Sequence, residues 1–333
     1  MAGYAIGSLI KRLRKQRGLT QEELAYPIVD RATLSRIESG KVMPSKKSAE
    51  ALLERLGYNP SNVVDLFLDS EMEATQKIMN EIDSYPIMRP AHINKKDEGI
   101  QGISESDKAR FAKDAEQRVA RVNDLIQELE ASKKFMDDKL NLQYILFHKG
   151  INSFISWKED SEKILEILTK ALKITIPEYD EKYLQSYYLS KQEYQLINAI
   201  ALQYSTMGDH DKCIGIYYAL KNNIKNHTID QIELGMRYPA IASNLAVHLS
   251  LVGRPEEAIE VCEEAEKICR DTRFVFLLPG IVSTRAMALY SIGNKEESER
   301  LLRQTYYVAM QYGHFNAAEQ VKAFMKDFLN KDI

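Results

Sequence analysis

Residues 20–40 read TQEELAYPIVDRATLSRIESG, and this stretch decides the character of the N-terminal part of the chain. Thr20 stands at an N-cap position with Glu23 three residues on, the spacing at which a hydroxyl and a carboxylate each satisfy an orphan backbone N–H. Leu24 and Ala25 fall on the inward face, and Pro27 ends this short helix. Asp30 is a second N-cap candidate and opens a helix over residues 31–39, which Gly40 terminates. Upstream, residues 6–17 spell an amphipathic helix with Ile6, Leu9, Ile10 and Leu13 on one side, and Gly18 stops it. Two short helices with a tight connection, the second carrying Arg and Thr outward, make a helix-turn-helix arrangement.

Two strings carry a resemblance. IKRLRKQRGLTQEELA over residues 10–25 resembles the first half of the Cro/C1-type (XRE family) domain. TLSRIESGK over residues 33–41, followed by Pro44 and Ser45, resembles its second half. The turn at residues 26–30 is one residue shorter than usual and lacks the family's common glycine. In that form it resembles the heads of the Rgg/NprR/PlcR/PrgX (RNPP) group of peptide-pheromone receptors. The resemblance implies a recognition helix in the major groove, with Arg31, Ala32, Thr33 and Arg36 facing the bases. Arg31 and Arg36 can each donate two hydrogen bonds to a guanine edge, while the methyl of Ala32 or Thr33 suits a thymine methyl. Gln21 is placed for a phosphate, and Ser35, Lys41 and Lys46 for further backbone contacts. Arg14 and Glu38 are left out of this face because they can pair within the domain, and Leu34 and Ile37 face the core. The basic residues of the first helix read equally well as a solvated face.

Charge supports a division of labour. Residues 1–68 hold 11 Lys/Arg against 7 Asp/Glu, a balance of +4, and the remainder holds 34 against 41, a balance of −7. A basic head on an acidic body is what a DNA-binding domain joined to a body that does not bind DNA would show. The 333 residues leave room for two domains. The most apolar run, residues 274–282, is broken by Pro279 and Gly280 and falls far short of the roughly 20 residues of a membrane span. Basic residues 11–17 follow rather than precede the short N-terminal apolar stretch, unlike a signal peptide, so a cytoplasmic protein without a membrane partner is expected. Cys213, Cys262 and Cys269 form no CxxC pair and fall in helical stretches, where small buried thiols are expected. The six histidines lack ligand spacing, so no metal or other cofactor is expected.

After residue 68 the pattern changes. Residues 71–84 read as an acidic helix, Pro86 and Pro90 break the chain, and residues 91–106 form a polar loop carrying Gly99 and Gly102, which we read as mobile. Strong helix formers return over residues 105–139, with Val119, Val122, Leu125, Ile126 and Leu129 at helical spacing. The expected domains are therefore 1–68, the helix-turn-helix; 69–106, a linker with a helix and a loop; and 107–333, a ligand-sensing and dimerising body.

The body repeats itself. ALQYSTMG over residues 201–208, AVHLSLVG over 246–253 and AMALYSIG over 286–293 align on their glycines. Five residues after each glycine stands a small residue, Cys213, Ala258 or Ser298, and four further on stand Tyr217, Cys262 and Leu302. The blocks resemble the tetratricopeptide repeat, whose small residues let paired helices approach closely. The glycines lie 45 and 40 residues apart, more than the usual figure of about 34, so longer second helices or loops are expected, as at residues 221–235. Helix pairs at residues 71–132 and 140–172 look like earlier degenerate repeats, and residues 315–329 like a closing helix. The expected fold is all-α: a helix-turn-helix followed by a tetratricopeptide-like right-handed α-superhelix with a concave groove.

Carrying the repeat register over places Asn198, Asn244, Gln195, Ser243 and Thr284 on the groove. An asparagine donates and accepts at once and can clamp a peptide backbone of any sequence, a use the pheromone receptors imply here. Arg237 and Arg285 could take a carboxylate, and Tyr194 and Tyr238 could supply apolar walls. Equally, Asn198 and Asn244 could cross-link neighbouring helices. These readings converge on a homodimeric transcription regulator that binds a double-stranded operator and responds to a short signalling peptide. The alternative keeps the DNA-binding head and makes the body a docking surface for a partner protein. With no nucleophile elbow, phosphate loop or histidine–carboxylate metal motif, an enzyme is not expected.

Overall fold

The computed structural model describes residues 2–60, 70–85, 105–156, 160–228, 230–313 and 315–333, and every long element among them is an α-helix. The polar loop expected after Pro86 lies, up to residue 104, outside the described residues. By its internal packing the chain falls into two compact units. Of the described residues, the first contains 2–60, 70–85, 113–156, 160–207, 227, 228 and 230, and the second contains 105–112, 208–226, 231–313 and 315–333.

The first unit opens with α1 (Ala2–Gln16), α2 (Gln21–Ala25), α3 (Arg31–Glu38) and α4 (Lys46–Arg55). Local chemistry sets their starts. Thr20 and Glu23 form the reciprocal capping box of α2, Asp30 caps α3 through the Thr33 N–H, and Ser45 caps α4 through the Ser48 N–H. Ile6, Ile10, Leu24, Leu34, Ile37, Leu52 and Leu56 fill the core these helices share, and Leu140 from beyond the head joins it. At Gly7 helix α1 touches α3 backbone to backbone. A Cβ there would sit 1.9 Å from the Ile37 carbonyl oxygen.

Helices α5 (Ser70–Ser84), α6 (Glu105–Ala131), α7 (Lys133–Met136) and α8 (Lys139–Ser156) share a second core of Met79, Ile82, Val122, Leu125, Ile126, Phe135 and Tyr144. Residues 70–85 of the expected linker are thus packed structure. Helix α9 (Ser161–Lys173) follows α8 as a hairpin partner, and α10 (Lys191–Thr206) packs on α9. A 3-10 turn at Glu181–Ser186 lies between α9 and α10.

The second unit is built from α11 (His210–His227, up to Asn226), α12 (Gln231–Leu251), α13 (Pro255–Thr272), α14 (Leu278–Ser291), α15 (Lys295–Gln311) and α16 (Phe315–Leu329). The glycine-centred blocks mark helix ends as expected. Gly208, Gly253 and Gly293 all have φ between 76° and 88°, the left-handed region in which a Cβ is unwelcome. Ala246, Ala258, Ala286 and Ser298 are fully buried, and the Ser298 hydroxyl donates to the Ala286 carbonyl at 2.7 Å across the α14–α15 hairpin. The repeat spacing is long because the helices are long: α11 has 18 residues and α12 has 21, with only a short connection between them. All three cysteines are buried, and none is in a disulfide.

Because a carbonyl oxygen cannot step aside as a flexible side chain can, replacing Gly7 by Ala forces α1 and α3 apart. We expect the full chain to lose about 1–3 kcal/mol in urea unfolding followed by circular dichroism.

Candidate nucleic-acid interface

Helix α3 presents the face that its sequence suggested. Arg31, Ala32, Ser35 and Arg36 are exposed and Thr33 is half-buried, while Leu34, Ile37 and Glu38 are buried. A chain of hydrogen bonds pre-orders this face. Asp30 accepts from the Thr33 backbone N–H and from its hydroxyl, both at 2.7 Å, and Arg36 Nη2 donates to Thr33 Oγ1 at 3.0 Å. Those bonds hold the Asp30 carboxyl below its usual range. Thr33 therefore meets a partner with its methyl freer than its hydroxyl, which suits apolar contact better than hydrogen bonding.

Behind this face α3 is locked to α1. Arg14 Nε and Nη2 donate to the two Glu38 carboxylate oxygens at 2.5 and 2.8 Å, a buried two-point pair, and Arg14 Nη1 donates to the Leu19 carbonyl at 2.7 Å. Burial pushes the Glu38 carboxyl up, but the hydrogen bonds from Arg14 and Gln21 outweigh it and hold the group below the usual glutamate range. The pairing inferred from the sequence is thus the strut on which the exposed face rests.

The expected phosphate contacts are more varied. Lys41 is exposed. Gln21 donates its side-chain amide to Glu38 Oε2 at 2.9 Å, so a side-chain donation to phosphate would have to replace that bond. Lys46 donates to Gln76 Oε1 of α5 at 2.8 Å.

Two arginines that sequence reasoning did not single out hold the head to the rest of the first unit. Arg55, 6% exposed, donates to the Tyr26 carbonyl (2.8 Å), the Thr175 carbonyl (2.9 Å) and Glu193 Oε1 of α10 (2.6 Å). Arg17 donates to the carbonyls of Leu56 and His227. A signal for Arg55 was present: Ala51 and Leu52, four and three residues before it, are buried, so Arg55 is a charge on the apolar stripe of its helix.

The groove candidates divide between the units and are placed separately. On α10 of the first unit, Gln195 and Asn198 are half-buried and Tyr194 is buried. In the second unit Asn244 and Ser243 of α12 are half-buried, and the Asn244 side chain hydrogen-bonds the buried Tyr217 hydroxyl. Arg237 is buried against Glu233 at 2.6 Å, and Arg285 is held by Glu266 at 2.7 Å and Glu263 at 3.1 Å. Tyr238 is wholly buried, and burial beside the Glu264 carboxylate pushes its hydroxyl above the usual range. Asn244 thus has a cross-linking partner, and both arginines have carboxylates.

With this geometry in hand the chain can be compared with known proteins. Residues 10–62 match the helix-turn-helix family model. No curated protein matches the sequence. Three solved structures are similar over nearly the whole chain. PlcR of Bacillus thuringiensis, in complex with the peptide PapR7 and DNA, is 19% identical, with 96% of this chain and 99% of that one covered and a TM-score of 0.56. The competence regulator ComR of Streptococcus vestibularis, in its apo form, is 16% identical, with 98% of each chain covered and a TM-score of 0.51. A Listeria monocytogenes EGD-e protein described as a transcriptional regulator is 13% identical, with 98% of each chain covered and a TM-score of 0.52.

Because Glu38 titrates lower in the folded chain than when unfolded, its pairing stabilises the head above the ordinary glutamate range, and that contribution is lost as pH falls through the depressed value. Urea stability measured from neutral pH to below 4 should therefore show the gap between the parent and Glu38→Gln narrowing on acidification; a constant gap would contradict it.

Residues 10–62 form a helix-turn-helix domain, and the chain as a whole has the all-α fold of a helix-turn-helix joined to helical repeats.

Proposed function

We propose that the chain is a transcription regulator that reads an operator half-site with α3 and answers to a short signalling peptide bound by its repeats. The observation that carries this reading is the exposed, pre-ordered Arg31–Thr33–Arg36 face, braced from behind by Arg14 and Glu38. One head spans one half-site, so specific binding calls for a homodimer on a palindromic operator. The fold is that of PlcR, which was solved with both a peptide and DNA. Asn198 on α10 and Asn244 on α12 are the backbone-clamping candidates for the peptide. Binding by Asn244 would draw on a side chain that already serves Tyr217. The protein acts in the cytoplasm, where its operator lies; among the described residues no helix is long and apolar enough to cross a membrane.

A second reading, in which the body docks a partner protein, is favoured by one feature. Tyr307, Val308, Met310, Tyr312 and Phe315 stand exposed at the end of α15 and the start of α16, an unusual concentration of apolar groups on a surface.

Mobility shifts on DNA from upstream of the chain's own coding region, with and without short peptides encoded nearby, separate the two. We expect a shift that one peptide changes. Arg31→Ala and Arg36→Ala should each weaken specific binding by about 1–3 kcal/mol, or about fivefold to 150-fold. Asn198→Ala should leave peptide-free DNA binding intact and remove the peptide's effect. A shift indifferent to every peptide would move the reading to a protein partner, and no shift at all would remove the DNA-binding role.

A further inference from the structure

Within the first unit, α4, α5, α8 and the first two turns of α10 wall a cavity of about 250 Å³. It is many times the roughly 10–15 Å³ that admits one water, and it lies below the about 300–1,000 Å³ of sites for drug-sized ligands. A single small molecule is the occupant of that size.

The charges on its walls narrow the chemistry. Two of the three carboxylates are already engaged. Asp83 accepts from the Tyr144 hydroxyl at 3.0 Å and faces His148 Nε2 at 3.5 Å, and Glu54 accepts from the Lys191 backbone N–H at 2.6 Å. Lys47 and Glu50 are different. They lie one helical turn apart on the same face of α4, both line the cavity, and among the described residues neither has a hydrogen-bond or ion-pair partner. The Lys47 ammonium instead lies over the Tyr144 ring, 4.8 Å from its centre. Burial pushes that ammonium below its usual range, and Glu50 is the first of the carboxylates that act against the shift. The two attract each other without direct contact, so the ammonium keeps unused donors and the carboxylate unused acceptors, and such groups are costly out of water until they are filled. A molecule carrying a carboxylate and an ammonium on one carbon meets both at once. A simple carboxylate would leave Glu50 without a donor in contact, and a simple amine would leave Lys47 without an acceptor in contact. On the same walls Gln192 Nε2 is buried without a hydrogen-bond partner and can donate, while Gln143, whose Nε2 donates to the Ala171 carbonyl and Thr175 Oγ1, offers only its amide oxygen as an acceptor.

We propose that this cavity is a binding site for a free α-amino acid, its carboxylate on Lys47 and its ammonium on Glu50. The site lies apart from the α3 face. Its occupant touches both the last helix of the head and the repeat helices packed against it, so binding ties the two together.

Isothermal titration of the full chain, without DNA or peptide, with each of the twenty standard amino acids tests this. At least one is expected to bind at millimolar concentration or tighter and to raise the melting temperature. Lys47→Met and Glu50→Gln should each weaken it at least tenfold, as should acetylating its amine or amidating its carboxylate. Should Lys47→Met fail to fold, as its melting curve would reveal, Glu50→Gln and the two end-blocked ligands still decide the matter. Absence of binding by all twenty would overturn the proposal. So would binding that acetate or ethylamine alone reproduces, or binding that the folded variants leave unchanged. Neither result bears on operator binding, which is read separately on DNA.

Discussion

A guanidinium and a carboxylate taken out of water together, Arg55 and Glu193, are what the arrangement of the first unit depends on. Their side chains are 6% and 0% exposed and meet at 2.6 Å. Burying such ions costs several kcal/mol each, and their attraction repays this only where the remaining hydrogen-bonding capacity is filled. Here most of it is filled, from three directions, with Arg55 Nε left buried without a hydrogen-bond partner. Arg55 also donates to the carbonyls of Tyr26 and Thr175, and the second oxygen of Glu193 accepts from the Ser190 backbone N–H at 2.6 Å, the capping bond that begins α10. Apolar contact, such as Leu140 in the head's core, holds the two parts together without prescribing an angle. The ion pair supplies the angle, because any other placement strands a buried charge. Its reach into the head is direct: the Tyr26 carbonyl belongs to the turn between α2 and α3, so one side chain spans from the repeats to the start of the recognition helix.

Local features were legible in the sequence, and long-range ones were not. The capping box at Thr20 and Glu23, the cap at Asp30, the Arg14–Glu38 pairing and the glycine-ended helices of the repeats were all read correctly. Each is fixed by residues a few positions apart or by a motif of known spacing. Arg55 and Glu193 are 138 positions apart. Helical periodicity could show that each lies on a buried stripe, but not that the two stripes face each other. The groove residues failed to resolve for a related reason. Repeat register says which side of a helix a residue occupies, but Glu233 beside Arg237, and Glu263 and Glu266 beside Arg285, decide whether those guanidiniums are available to a ligand. Spacing within one helix pairs Arg237 with Glu233. Only tertiary structure brings Arg285 to α13.

Helix α10 is where the two proposed activities would meet. Glu193 points to α4 from one side of this helix, and Asn198, five positions further on, lies on roughly the opposite side, while Gln195 lines the cavity against α4. A helix of 16 residues moves as a rod, so a ligand that shifts α10 through its amides acts on Glu193 as well. The size of the barrier bounds what such a ligand must be. Removing one partner of a buried pair costs about 3–5 kcal/mol, an upper bound on separating two ions that both regain water, and a ligand can move the equilibrium only by the difference in its affinity for the two states. Millimolar binding is worth about 4 kcal/mol in all, so nearly every contact would have to favour one state; micromolar binding is worth about 8 kcal/mol and needs only about half to do so. A compact ligand between α4 and α10 is therefore suited to reinforcing the docked head. Undocking it calls for the larger contact area of an extended chain such as a peptide.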